Sequence, residues 1–171
     1  MEPLSVSTTI DRPRGDVFAY LEDIANHPEF SDHYLVDWRM TREATAGRGA
    51  GARFRYKAPL QRFDWADFTF AEVEAPRRIV MAGRGGKGNR TRLRSVWELE
   101  ERGAHATKVT LTVETRPALP SDRFMESLGQ RGWLRRNGRK ALKRLRRILE
   151  EGKGRGRRAT IAGLDEVDFR P

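Results

Sequence analysis

The sequence contains no cysteine. Disulfides, thiolate nucleophiles and cysteine-ligated zinc are therefore excluded. Histidine is scarce, with three residues at positions 27, 33 and 105. His27 and His33 straddle Pro28 beside Asp23, Glu29 and Asp32. No HExxH or comparable spacing appears among them, so neither a metal nor a cofactor is expected. No stretch approaches the roughly 20 apolar residues that span a bilayer, so a transmembrane segment is not expected. The first residues, MEPLSVSTTI, lack a basic region followed by an apolar run. A secretory leader is thus not expected, and the cytoplasm is the expected compartment. The glycine-rich stretch 46–51 lacks the GxxxxGK pattern of a phosphate loop.

What is abundant is positive charge. The net charge is +10, and residues 123–158 hold 14 Lys and Arg against three acids. The last long periodic stretch, residues 121–151, carries most of it. Ser121 stands at its start. Phe124, Leu128, Leu134, Ala141, Leu145 and Ile148 recur at helical spacing. These residues predict one long amphipathic helix, with a kink near Gly132 suggested by Gly129, Gly132 and Gly138. Its cations Arg131, Arg135, Arg136, Arg139, Lys140, Lys143, Arg144, Arg146 and Arg147 form a candidate electrostatic patch. Nucleic acid or an anionic membrane could be steered by such a stripe, although no nucleic-acid-binding motif is present. A solvated helix face is the plainer reading.

Upstream, the apolar period is two. Val6, Thr8 and Ile10 alternate with polar residues as a first strand. Asp11 ahead of Pro13 predicts a helix start, and Val17, Phe18, Leu21 and Ile24 supply its apolar stripe. Phe30 and Tyr34 follow in a turn or second short helix. Strands are expected over 35–43, 52–58, 64–74, 79–81, 90–99 and 107–115. In the third of these both faces carry bulk, Trp65 and Val73 on one and Phe68 and Phe70 on the other. Short turns between consecutive strands predict antiparallel neighbours. The fold class expected is α+β: a curved antiparallel sheet of about six or seven strands around the C-terminal helix, with two short helices after the first strand. The domain is expected to span 1–151. Residues 152–171 form a basic linker and a tail that is either flexible or docked on this chain or on a second copy, making a homodimer one candidate assembly.

The segment Ile10-Asp11-Arg12-Pro13-Arg14-Gly15-Asp16-Val17-Phe18 resembles the first strand-to-helix segment of the START-like helix-grip superfamily. His27-Pro28-Glu29-Phe30 resembles its next turn, and Glu74-Ala75-Pro76-Arg77-Arg78-Ile79 its turn between middle strands. The resemblance covers about residues 3–150 and is closest to the polyketide cyclase/dehydrase-like members. It implies the helix-grip fold and a ligand space between sheet and helix. Members include lipid binders, aromatase/cyclases and ring-hydroxylating oxygenase domains, so fold does not choose the activity. The tail departs from the family pattern, in which the long helix ends the domain.

A curved sheet cannot meet a straight helix everywhere, so an apolar gap is expected between them. Phe30, Tyr34, Trp38, Phe54, Tyr56 and Trp65 are candidate ligand-binding residues. Met81, Leu93, Trp97, Phe124, Leu128 and Trp133 complete that set. The expected guest is a hydrophobic small molecule of lipid, isoprenoid or polyketide type. A cyclase or dehydratase would need only one acid or base in the same space. His33, Tyr56 and Asp67 are the principal candidates, with Tyr34, Arg53 and Arg94 behind them. Asp67 is a buried acid if the Trp65 face points inward and an exposed one if the Phe68 face does.

Overall fold

The computed structural model describes residues 2–57, 65–118 and 130–165. Strand β1 (Leu4–Ile10) leads into helix α1 (Arg14–Glu22), a 3-10 turn at Ile24–Asn26 and the short helix α2 (His27–Ser31). Strands β2 (Leu35–Met40), β3 (Gly51–Tyr56), β4 (Trp65–Glu74), β5 (Arg78–Gly85), β6 (Thr91–Glu101) and β7 (Thr107–Arg116) follow. Helix α3 (Gln130–Glu151) comes last. The seven strands make one antiparallel sheet in the order β1-β7-β6-β5-β4-β3-β2. The sheet curls into a half-barrel around α3, which is the expected α+β helix-grip arrangement.

Two register shifts help to bend the sheet, between Val36 and Arg39 in β2 and between Phe70 and Glu72 in β4. The β4 shift reverses which residues face inward. Phe70 lies opposite Met81 before it and Val73 opposite Ile79 after it. Phe68 and Phe70 are therefore buried, whereas Trp65 is 38% exposed on the outer face. Between β4 and β5 the backbones come so close that a Cβ on Gly83 would sit 1.8 Å from the Asp67 carbonyl oxygen. Only glycine fits there.

Helix α3 buries Leu134, Ala141, Leu142, Leu145 and Ile148 against the concave face. It runs without a break through Gly132 and Gly138. Gly138 serves the packing instead: a Cβ there would lie 3.2 Å from Val6 Cγ2 on β1. The expected helical residues 121–129 fall outside the described residues. At its C-terminal end, Arg12 donates from Nε to the Leu149 carbonyl at 2.7 Å and from Nη2 to that of Glu150 at 3.2 Å. A cation thus satisfies the end carbonyls. Asp11 does not cap α1. The cap position is Pro13, which makes no side-chain bond, and the Asp11 amide donates to Glu150 Oε1 at 2.7 Å.

Residues beyond α3 lie against α2 and the β2 edge. Ala159 is buried, and its amide donates to the Ala25 carbonyl at 2.9 Å. The Met40 amide donates to Thr160 at 2.8 Å, giving the open edge of β2 a partner. Arg158 pairs with Asp23 at 2.5 Å. Among the described residues no helix is long and apolar enough to cross a membrane.

Candidate ligand cavity between sheet and helices

The walls of the gap come from every layer. Helix α2 contributes His27, Phe30 and Ser31, which share one face at i, i+3 and i+4. The following turn adds Tyr34, strands β2 and β3 add Leu35, Trp38, Phe54 and Tyr56, and the middle strands add Phe68 and Met81. Ser95 and Trp97 from β6, Leu111 and Val113 from β7 and Leu134 from α3 close it. The empty space is about 510 Å³ counted out to its open mouth, of which about 60 Å³ admits the centre of a water-sized sphere. The chamber is narrow as it stands.

Its interior is aromatic. Trp38 and Phe54 lie 4.4 Å apart between ring centres, Phe54 stacks on Phe68 at 5.6 Å, and Phe30 meets Trp97 edge-on at 5.9 Å. His27 stands among Phe30, Phe70, Trp38 and Trp97 with centroid separations of 5.3 to 6.5 Å. Its Nε2 lies 2.8 Å from the Leu21 carbonyl oxygen. Burial pushes its pKa down to about 4, so the ring is neutral at neutral pH. Burial likewise pushes the Tyr34 phenol well above its ordinary value.

One polar atom in this wall has no partner. The Trp97 indole Nε1 is buried and makes no hydrogen bond among the described residues. A buried donor left unmade costs about 1–3 kcal/mol. An oxygen acceptor could satisfy it only if the packed rings yielded enough to bring that acceptor to the indole edge.

Seven of the twelve ligand-binding candidates line this space: Phe30, Tyr34, Trp38, Phe54, Tyr56, Met81 and Trp97. Trp65 does not, because the Phe68 parity of β4 faces inward and puts Trp65 outside. Leu93 is buried but packs beside Gly85, where an added Cβ would come within 2.9 Å of its Cδ1. Trp133 is half-buried against Tyr34, 5.8 Å between rings. Phe124 and Leu128 lie outside the described residues. Eight wall residues stand outside the candidate set: His27, Ser31, Leu35, Phe68, Ser95, Leu111, Val113 and Leu134, and of these His27 is the one with a titratable ring. Its signal was the shared helical face with Phe30 and Ser31.

Of the acid–base candidates, Tyr56 and Tyr34 reach the chamber. Asp67 is on the outer face, held by Arg53 at 2.6 and 3.1 Å, and so is unavailable to a guest inside. Arg94 is likewise exposed outside. His33 accepts from Arg144 at Nδ1, 3.2 Å away, while its Nε2 lies 3.3 Å from the Asn137 carbonyl. Burial, ahead of the nearby cations, lowers its pKa. Among the described residues no cluster of three His, Asp or Glu could hold a metal ion.

Part of the basic stripe of α3 is paired within the chain. Arg144 is tied to Asp32, His33 and the Glu29 carbonyl. Arg146 and Arg147 pair with Glu150 and Glu151 one turn on. Arg131 donates to the carbonyls of Glu2 and Pro3. Arg135, Arg136, Arg139, Lys140 and Lys143 remain exposed.

The fold recurs in known proteins. Protein TTHA0849 of Thermus thermophilus matches with a TM-score of 0.68 and 14% identity, over 88% of this chain and 99% of its own. Truncated norcoclaurine synthase of Thalictrum flavum matches with a TM-score of 0.65 and 11% identity, over 88% and 94%. DynU16, a protein of the dynemicin biosynthetic locus, matches with a TM-score of 0.57 and 21% identity, over 91% of this chain and 50% of that one. No curated protein sequence matches. The family described as polyketide cyclase / dehydrase and lipid transport matches residues 1–150. With a match over that much of its length, the chain belongs to the polyketide cyclase/dehydrase and lipid transport family.

Proposed function

We propose that this protein binds a hydrophobic small molecule of lipid, isoprenoid or polyketide type between the sheet and α3. The observation that carries the reading is the aromatic chamber, whose wall residue Trp97 has an indole N–H with no partner among the described residues. Aromatic surfaces suit flat or extended apolar guests, and the donor of Trp97 suits a guest with a carbonyl or hydroxyl oxygen. Family membership supports the same class of guest. The narrow space requires side chains to yield on entry, and Met81 is the flexible residue in the wall. Native mass spectrometry of protein purified from its own host tests the reading. One small, oxygenated apolar molecule per chain is expected. Protein that carries nothing, and that gains no mass when offered extracts of that host, would reject it.

A second reading is favoured by His27. A neutral imidazole in an apolar wall can accept a proton from a guest held against it. The neighbour in a dynemicin biosynthetic locus and the synthase of Thalictrum flavum support chemistry in this fold. Under that reading, His27→Asn retains the bound molecule and abolishes its conversion. Conversion unaffected by the change would remove His27 from the account.

A further inference from the structure

The outer face of the sheet carries a line of arginines that the ligand chamber does not use. Arg39 of β2 lies opposite Arg53 of β3, which lies opposite Asp67 of β4. Asp67 lies opposite Arg84 of β5, Arg84 opposite Arg92 of β6, and Arg92 opposite Arg116 of β7. Directly opposed residues share a face, so five arginines and one aspartate form a single row across six strands. At about 4.8 Å between strands the row runs roughly 24 Å around the curved surface. Arg94 stands in the next row, opposite Glu114.

Two carboxylates are already committed near this row, Asp67 to Arg53 and Glu114 to Arg116. Arg39, Arg84, Arg92 and Arg94 are exposed and make no ion pair among the described residues. Arg84 and Arg92 face each other directly, and like charges in that position are destabilising. An anion laid along the row relieves that repulsion. Beside its β2–β4 end stands Trp65, exposed, in a hollow shared with Arg39, Arg53 and the β5–β6 turn. A second hollow lies among Arg84, Arg92, Arg94 and Arg116.

We propose that this outer face binds single-stranded nucleic acid, its backbone following the arginine row and a base stacking on Trp65. A cationic track with an accessible aromatic platform is the combination that single strands require. A flat membrane would meet only part of a row that bends around a convex sheet. The five exposed cations of α3 that hold no ion pair or side-chain hydrogen bond among the described residues have no comparable aromatic platform: Trp133 is half-buried and packed on Tyr34.

The test uses the full chain and a fluorescent oligothymidylate or oligouridylate of about 12 nucleotides, followed by anisotropy. Binding at low salt is expected, with a log–log salt slope of about −3 if four arginines are engaged. Arg84→Glu with Arg92→Glu should weaken it at least about tenfold, and Arg39→Glu with Arg94→Glu provides an independent pair. Trp65→Ala should weaken it about tenfold. Arg136→Glu with Arg139→Glu changes the net charge equally and should alter affinity by less than about twofold. Circular dichroism identifies any variant that fails to fold. Absence of binding at low salt overturns the proposal. Equal losses from the sheet and helix pairs, or tighter binding to a duplex or to phosphatidylglycerol vesicles than to the strand, overturn it as well.

Discussion

His27 Nε2 lies 2.8 Å from the carbonyl oxygen of Leu21, and that oxygen can only accept. The hydrogen is therefore on Nε2, and Nδ1 carries the basic lone pair. Burial lowers the folded-state pKa to about 4 from 6.5. The folded state therefore binds fewer protons than the unfolded chain between those values. Stability from this group is fully present above pH 6.5 and is lost as pH falls towards 4. The loss should reach about 3 kcal/mol. Glu29 acts in the opposite sense, since burial raises its pKa and makes ionisation unfavourable in the folded state as pH rises. Urea unfolding between pH 4 and 7 should show a stability rising with pH through His27, a slope that His27→Gln reduces or reverses. The same slope in the variant would contradict the assignment.

Trp97 is 3% exposed and its Nε1 makes no hydrogen bond among the described residues. Trp97→Ala should cost about 3–5 kcal/mol by leaving a cavity. Trp97→Phe keeps most of the ring and deletes a donor that bonds to nothing, so its cost should be less than half of that. Denaturant midpoints of the two variants measure the difference. Equal costs would mean that the indole N–H is stabilised in a way absent from the structure.

Arg144 joins α3 to α2 through Asp32, the His33 ring and the Glu29 carbonyl. Replacing it with Ala should destabilise the fold by about 1–2 kcal/mol, less than a buried pair because the side chain is partly exposed. Arg144→Lys should recover little, because an ammonium cannot reach three acceptors in a plane. Thermal unfolding that treats Lys as equivalent to Arg would reject the fork-like role.

The segment after α3 covers the edge of β2 through Ala159 and Thr160. Ala159→Asp places a charge at a buried position and should release that segment. Hydrogen exchange at the Met40 amide, which donates to Thr160, should accelerate by an order of magnitude or more. Exchange within β6 should be unchanged. Unaltered protection at Met40 would show that the contact is not what protects this edge.

Much of the architecture was legible because β6 and β7 alternate cleanly. Leu93, Trp97 and Leu99 share one buried face, as do Val109 and Leu111. Strand β4 was not legible in the same way. Its register shift near Ala71 puts Phe70 and Val73 on the same side despite their opposite parity. A period of two cannot reveal an inserted residue, and apolar bulk on both faces was its only trace. The face of Trp65 was therefore left open by the sequence, and its place among the ligand-binding candidates is not matched by its position on the outer face. Which cations of the α3 stripe are paired was not legible, because i,i+4 pairing and the reach of Arg144 depend on side-chain geometry rather than on composition. The width of the chamber depends on how rings interdigitate, which spacing does not encode.

The central claim is that the chamber accepts an oxygen-bearing apolar guest. The most direct measurement is a titration of ¹⁵N-labelled protein with 2-naphthol, following the Trp97 indole N–H resonance. The account predicts a saturable one-to-one downfield shift that disappears when Leu111→Trp fills the space. No saturable shift up to the solubility of the probe, or an undiminished shift in the filled variant, would contradict it.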